Sequence, residues 1–184
     1  FDLPHSPIQQ NLANIFALGL SGPLPLERED FERDWLVIGD HSSGKTNTVH
    51  LLAKFLPDHK ILEDLNAHDP RLMAATELGT SPSLETTSAL ASPSPQLEDP
   101  TRRMPVIASV SPEVVQTTFS GPLSELRQHA VLIILGSAAQ CRPFLKGIDC
   151  QALPDQIGLV PGRGIIIKKG KGLAIQIAIY PKLR

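Results

Sequence analysis

Trp35-Leu36-Val37-Ile38-Gly39-Asp40-His41-Ser42-Ser43-Gly44-Lys45-Thr46-Asn47 is the stretch that decides the fold. Four apolar residues follow the charged segment 27–34 and run into Gly39, the signature of a short buried strand. Residues 39–46 then fit the phosphate-loop pattern G-x-x-x-x-G-K-[ST] at every defined position. Beyond them Val49, Leu52, Ala53 and Leu56 recur at i, i+3, i+4 and i+7, an amphipathic helix that stops at Pro57-Asp58. A glycine loop between strand and helix lets successive backbone N–H groups converge on phosphate oxygens, with the partial positive charge of the helix N-terminus behind them. The expected cradle is Gly39, Asp40, His41, Ser42, Ser43, Gly44, Lys45, Thr46 and Asn47. Lys45 is expected to reach the β- and γ-phosphates of ATP, and the Thr46 hydroxyl to ligate Mg²⁺.

Val131-Leu132-Ile133-Ile134-Leu135 before Gly136 reads as a second buried strand, of the kind found inside parallel sheets. Shorter strands are expected at 60–62 and 106–110. Near the end, Ile165-Ile166-Ile167, the basic turn Lys168-Lys169-Gly170-Lys171-Gly172 and the alternating Leu173, Ile175, Ile177 and Ile179 read as an antiparallel hairpin. Its lysines read as solubilising the turn. At the N-terminus, 8–18 has Leu12, Ile15 and Phe16 at helical spacing and is expected to be a short helix. The fold class expected is therefore α/β: a P-loop NTPase-like three-layer sandwich with a mainly parallel sheet and a C-terminal antiparallel hairpin.

The chain has 184 residues, 41% of them hydrophobic, and one domain is the expectation at this length, with ~70% of the unfolded surface buried on folding. We divide it into an N-terminal lead-in (1–34), a strand–helix half that carries the loop (35–79), a linker-like segment (80–105) and the second half of the same domain (106–184). In 80–105, 14 of the 26 residues are Ser, Thr or Pro, too few apolar anchors for a packed element. A net charge of -2 does not suggest a basic groove for nucleic acid, which the composition leaves unsupported. No run approaches the ~20 apolar residues of a membrane span. Two cysteines, Cys141 and Cys150, make no metal-ligand pair and fit a reducing cytoplasm. Phe1 in place of an initiating Met suggests a processed product or a part of a longer protein.

Phosphoryl transfer also needs a carboxylate to hold Mg²⁺ and another to orient water, commonly at the ends of neighbouring strands. The strand 106–110 runs instead into Ser111 and the strand 131–135 into Gly136. Asp64, Glu113 and Arg163 are the remaining catalytic candidates: two acids near strand ends, and a guanidinium in a glycine-flanked turn that either reaches a neighbouring nucleotide or is simply solvated.

Ile38-Gly39-Asp40 with Gly44-Lys45-Thr46-Asn47, together with Pro161-Gly162-Arg163-Gly164-Ile165 and Ile175-Gln176-Ile177-Ala178, resembles the FtsK/SpoIIIE-type ATPase modules of type VII (ESX) secretion, the EccC/EssC proteins. The missing acid at Ser111 makes the chain most like a C-terminal, degenerate module. The resemblance implies ATP and Mg²⁺ as cofactors, and a cytoplasmic location with the membrane reached only through the rest of a larger protein. It also implies partners in the form of neighbouring ATPase modules of the same chain or further copies, and small helical secreted proteins as substrates. Two other readings stay open: an active small P-loop kinase or NTPase using Lys45, Thr46 and Asp64, and a DNA-translocase module of the same superfamily, which the charge opposes.

The composition of 80–105 generates the first expected outcome. Shortening a loop twofold changes its closure entropy by only ~0.6 kcal/mol, so a chain with that segment trimmed should keep a single cooperative thermal transition. Loss of cooperativity on trimming would mean that the segment is packed.

Overall fold

The structure, a computed structural model, describes residues 17–19, 26–77, 104–150 and 160–178. Its elements in chain order are β1 (Ala17–Gly19), β2 (Trp35–Gly39), α1 (Lys45–Phe55), β3 (Lys60–Leu65), α2 (Pro70–Glu77), β4 (Val106–Val110), α3 (Pro112–Thr117), α4 (Pro122–His129), β5 (Val131–Leu135), α5 (Ala138–Cys141), β6 (Asp149–Cys150), β7 (Arg163–Lys168) and β8 (Lys171–Ile177). The strands form one sheet in the order β1-β8-β7-β5-β2-β4-β3, with β6 beside β8. β5, β2, β4 and β3 are mutually parallel. β7 and β8 extend them antiparallel as a hairpin, and β1 caps β8 antiparallel.

β2 is buried along its whole length because it is central and covered on both faces. Alternate side chains therefore feed two cores. Trp35 and Val37 pack with Ile107, Ile133, Ile175 and the apolar stripe Val49, Leu52 and Leu56 of α1. Leu36 and Ile38 pack on the opposite face with Leu72 of α2, Val115 of α3, Leu123 and Leu126 of α4 and Cys141 of α5. Burial on both faces explains why β2 and β5 read as unbroken apolar runs, and why β4 is apolar except for the buried Ser109. The result is the three-layer, mainly parallel P-loop NTPase-like architecture with a terminal hairpin.

Several details depart from the sequence reading. β3 runs on to Leu65, past the expected stop at Leu62, because a register shift against β4 between those residues accommodates the polar pair Glu63-Asp64. Ala174 of β8 is buried as well as Ile175, so that strand is covered on both faces where alternation suggested one. The hairpin lysines also do more than solubilise. Lys168 pairs with the buried Asp30, and Lys169 with Glu27 at 3.1 Å, which ties the 3₁₀ turn Arg28–Glu32 to the hairpin. The expected helix at 8–18 falls mostly outside the described residues, but its last part, Ala17 and Leu18, is in β1. Except for Met104 and Pro105, the segment 80–105 also lies outside them. Among the described residues no helix is long and apolar enough to cross a membrane.

The turn after β3 is fixed by charge. The Arg71 guanidinium donates to both carboxylate oxygens of the buried Asp69, at 2.9 and 2.8 Å, and also to the Glu63 carbonyl at 3.0 Å. Those hydrogen bonds hold the Asp69 carboxyl at a pKa of about 2. A depressed folded-state pKa stabilises the fold at pH 7, and the contribution is lost as pH falls from about 4 toward 2. Asp69→Asn should therefore lower unfolding free energy by about 1–2 kcal/mol at pH 7, with allowance for the half-exposed arginine, and the two proteins should converge only as pH falls through and below about 2. Urea unfolding across a pH series measures this directly.

Candidate functional site

The phosphate loop leaves the C-terminal end of β2, where the sheet stops and α1 begins. Gly44 caps α1 with φ +94°, in the left-handed region, and Ser42 before it lies at φ +66°. The loop closes on itself through the Ser43 N–H, which donates to the Asp40 carbonyl at 3.2 Å. Thr48 then donates both its N–H and its hydroxyl to the Gly44 carbonyl, at 3.0 and 2.9 Å, which starts the helical ladder. Lys45 and Thr46 are the first helical residues, so their N–H groups have no intrahelical acceptor and point out of the helix N-terminus. Together with Asp64, the residues Asp40, His41, Ser42, Gly44, Lys45, Thr46 and Asn47 line a cavity of about 270 Å³. Gly39 and Ser43 lie beneath it: the Ser43 hydroxyl occupies the space that a side chain on Gly39 would need.

A second segment braces the loop from the far side of the sequence. The Gly162 N–H donates to the Ser43 carbonyl at 2.7 Å. The two backbones approach so closely that a Cβ on Gly44 would lie 2.7 Å from the Gly162 nitrogen. Gly164 is equally constrained, because a Cβ there would overlap the Ile134 carbonyl of β5. These approaches are the physical reason for the Pro-Gly-Arg-Gly sequence. The Asn47 side-chain amide donates to the Ala178 carbonyl at 3.0 Å, which fastens α1 to the end of β8.

The two strand ends that lack acids serve as helix caps. The Ser111 hydroxyl accepts from Val114 N–H at the start of α3. Ser137, after Gly136, caps α5 in a reciprocal box with Gln140. The Gln140 amide also donates to Asp40 at 2.6 Å, which links the end of β5 to the loop.

Of the catalytic candidates, the structure brings one to the cavity. The Asp64 carboxylate stands 2.7 Å from the Lys45 ammonium, whose side chain is 11% exposed. Hydrogen bonding from Lys45 holds the Asp64 carboxyl below the usual carboxylate range. Glu113 is exposed in the first turn of α3 and does not line the cavity. Arg163 is turned away from it, and its Nε donates to Gln176 Oε1 at 3.0 Å. Gln140 and Gly162 are supporting residues that sequence reasoning did not place at the site. For Gly162 the signal was the glycine-rich turn itself, and for Gln140 the Ser-x-x-Gln capping pattern at 137–140.

No protein-family model and no curated protein matches the sequence. Among solved structures, one described as an ATPase aligns with a TM-score of 0.51 at 13% identity, over 95% of this chain and 90% of its own. The cytoplasmic domain of EssC aligns with a TM-score of 0.52 at 14% identity, over 89% of this chain and 42% of its own. ATPases 2 and 3 of EssC from Geobacillus thermodenitrificans align with a TM-score of 0.54 at 14% identity, over 89% of this chain and 40% of their own. The chain has the fold of a P-loop ATPase domain. Within that class it is similar to the EssC modules, and it spans about two fifths of the length of those two structures.

Proposed function

We propose that the chain is an ATP-binding module of a type VII secretion ATPase, catalytically weak, with a regulatory and substrate-interaction role beside neighbouring ATPase modules or further copies of itself. The observation that carries this reading is the loop itself, with Lys45 and the N-terminus of α1 facing a cavity large enough for phosphates and braced from behind by Gly162. The residues fit Mg²⁺-nucleotide: a backbone cradle with no room for a Cβ at Gly44, an exposed Thr46 hydroxyl and the Asp64 carboxylate across from Lys45. Bound Mg²⁺ would neutralise phosphate charge. Lys45 would bind and orient the terminal phosphates, and the loop N–H groups would fix the rest of the chain of phosphates.

Weak turnover is supported by the residues at the ends of β4 and β5, where Ser111 and Gly136 stand and bring no carboxylate. Asp64 beside Lys45 favours a second reading, a self-contained small kinase or NTPase that takes its acid from β3. A DNA-translocase role is opposed by the net charge of -2. Small helical secreted proteins are the proposed substrates and the cytoplasm the proposed location, with any membrane attachment supplied by the rest of a larger protein.

Calorimetric titration with Mg-ATP followed by phosphate release on the same sample tests the reading. A charge-assisted hydrogen bond contributes about 1.5–3 kcal/mol, so Lys45→Ala should weaken binding by roughly 10- to 100-fold. Turnover by the wild-type chain should stay well below the usual ~1–10³ s⁻¹. Equal, negligible binding by both proteins would contradict nucleotide recognition. Fast turnover at every protein concentration would replace the degenerate module with the small-enzyme reading, and turnover that rises with self-association would indicate a site shared between copies.

A further inference from the structure

The residues lining the loop cavity bring two carboxylates, Asp40 and Asp64, one ammonium, Lys45, and one imidazole, His41. With the imidazole neutral, this lining bears one net negative charge, which opposes a polyphosphate. With the imidazole protonated, the lining is balanced. The side chain at position 41 therefore decides the charge that an incoming phosphate meets.

The other three groups are already engaged. Lys45 and Asp64 pair at 2.7 Å, and the Asp64 N–H donates to the hydroxyl of Ser109, itself buried in β4, at 2.9 Å. Asp40 accepts from the Gln140 amide at 2.6 Å. His41 is exposed, and among the described residues its side chain makes no hydrogen bond or ion pair. With Ser42, at φ +66°, it forms the apex of the turn that the Ser43 N–H closes on the Asp40 carbonyl. Its charge reaches the site through space: behind the hydrogen bond and charge of Lys45, His41 is one of the groups that hold the Asp64 carboxyl low, and Arg71 of α2 adds less. A further pair, His50 with Glu63 at 3.4 Å, joins α1 to β3 outside the cavity lining. Of these side-chain types, histidine is the one that changes charge between about pH 5 and 8.

We propose that His41 is a proton-linked phosphate-binding residue, whose imidazolium joins Lys45 in holding the phosphates of the nucleotide. The proposal rests on the nucleotide-binding reading above and deepens it. Because protonation favours the bound ligand, the bound ligand favours protonation by the same factor, and binding draws a proton from solvent onto the imidazole. Affinity is greatest where the imidazole is charged and falls as pH rises through the histidine range.

The test is calorimetric titration of the full chain with Mg-ATP near pH 6 and near pH 8, in buffers of different ionisation enthalpy so that proton uptake is read beside affinity. The wild type should bind about three- to tenfold more tightly near pH 6, the scale for one exposed charge acting on a polyvalent ligand, and should take up a fraction of a proton on binding. His41→Gln should lose both effects, and the difference between the two proteins removes the titration of the ligand itself. His41→Lys, charged at both pH values, should bind near pH 8 about as tightly as the wild type near pH 6, without proton uptake. His50→Gln should behave as the wild type. Equal pH dependence and equal proton uptake in the wild type and His41→Gln would overturn the proposal while leaving nucleotide binding intact, and so would loss of both effects in His50→Gln. Absence of binding to the wild type at either pH would overturn the nucleotide reading, and the proposal with it.

Discussion

The hydrogen bond from Gly162 N–H to the Ser43 carbonyl, at 2.7 Å, is the contact on which the site depends. It joins two segments separated by nearly two thirds of the chain. A phosphate loop needs its carbonyls turned back and its N–H groups turned forward, and a carbonyl facing back into protein requires a donor there. Here the hairpin extension supplies that donor. The requirement explains why the sheet continues past β5 into antiparallel β7 and β8, and why the turn entering β7 is built from Pro161, Gly162 and Gly164. It also explains why Asn47 and Gln176 hydrogen-bond to the same end of the hairpin.

The parts legible in the sequence are those governed by local rules. Strands buried on both faces carry predominantly apolar runs, and β2, β4 and β5 were read with correct positions for that reason, β4 despite the buried Ser109. The helix α1 announced itself by its 3.6-residue stripe, and the loop by its pattern between the two. The parts that were not legible depend on long-range geometry. Asp64 follows only two apolar residues, and nothing local reveals that a register shift and the Ser109 hydroxyl aim it at Lys45. Likewise, Lys168 looks like a solvated turn residue until the buried Asp30 is found beside it. Ion pairs between residues more than a hundred positions apart leave no periodic trace in a single chain.

The arrangement separates the means of binding phosphate from the means of transferring it. Binding rests on backbone N–H groups, a helix N-terminus and one lysine, all supplied within a single strand–loop–helix unit. Transfer rests on carboxylates brought by other strands, and at β4 and β5 those positions hold Ser111 and Gly136, followed by helix caps. The acid that does reach the site comes from β3 and is engaged with the lysine itself. In the proposed reading, a domain built this way would sense nucleotide within an assembly, with the Lys45–Asp64 pair at the mouth of its loop.

Amide hydrogen exchange of the full chain, with and without Mg-ATP, is the decisive measurement. Exchange should slow in 40–47 and, through the Ser43–Gly162 contact, in 160–163, with the buried strands β2 and β5 unaffected. Unchanged exchange in 40–47 at saturating Mg-ATP would contradict nucleotide binding at the loop.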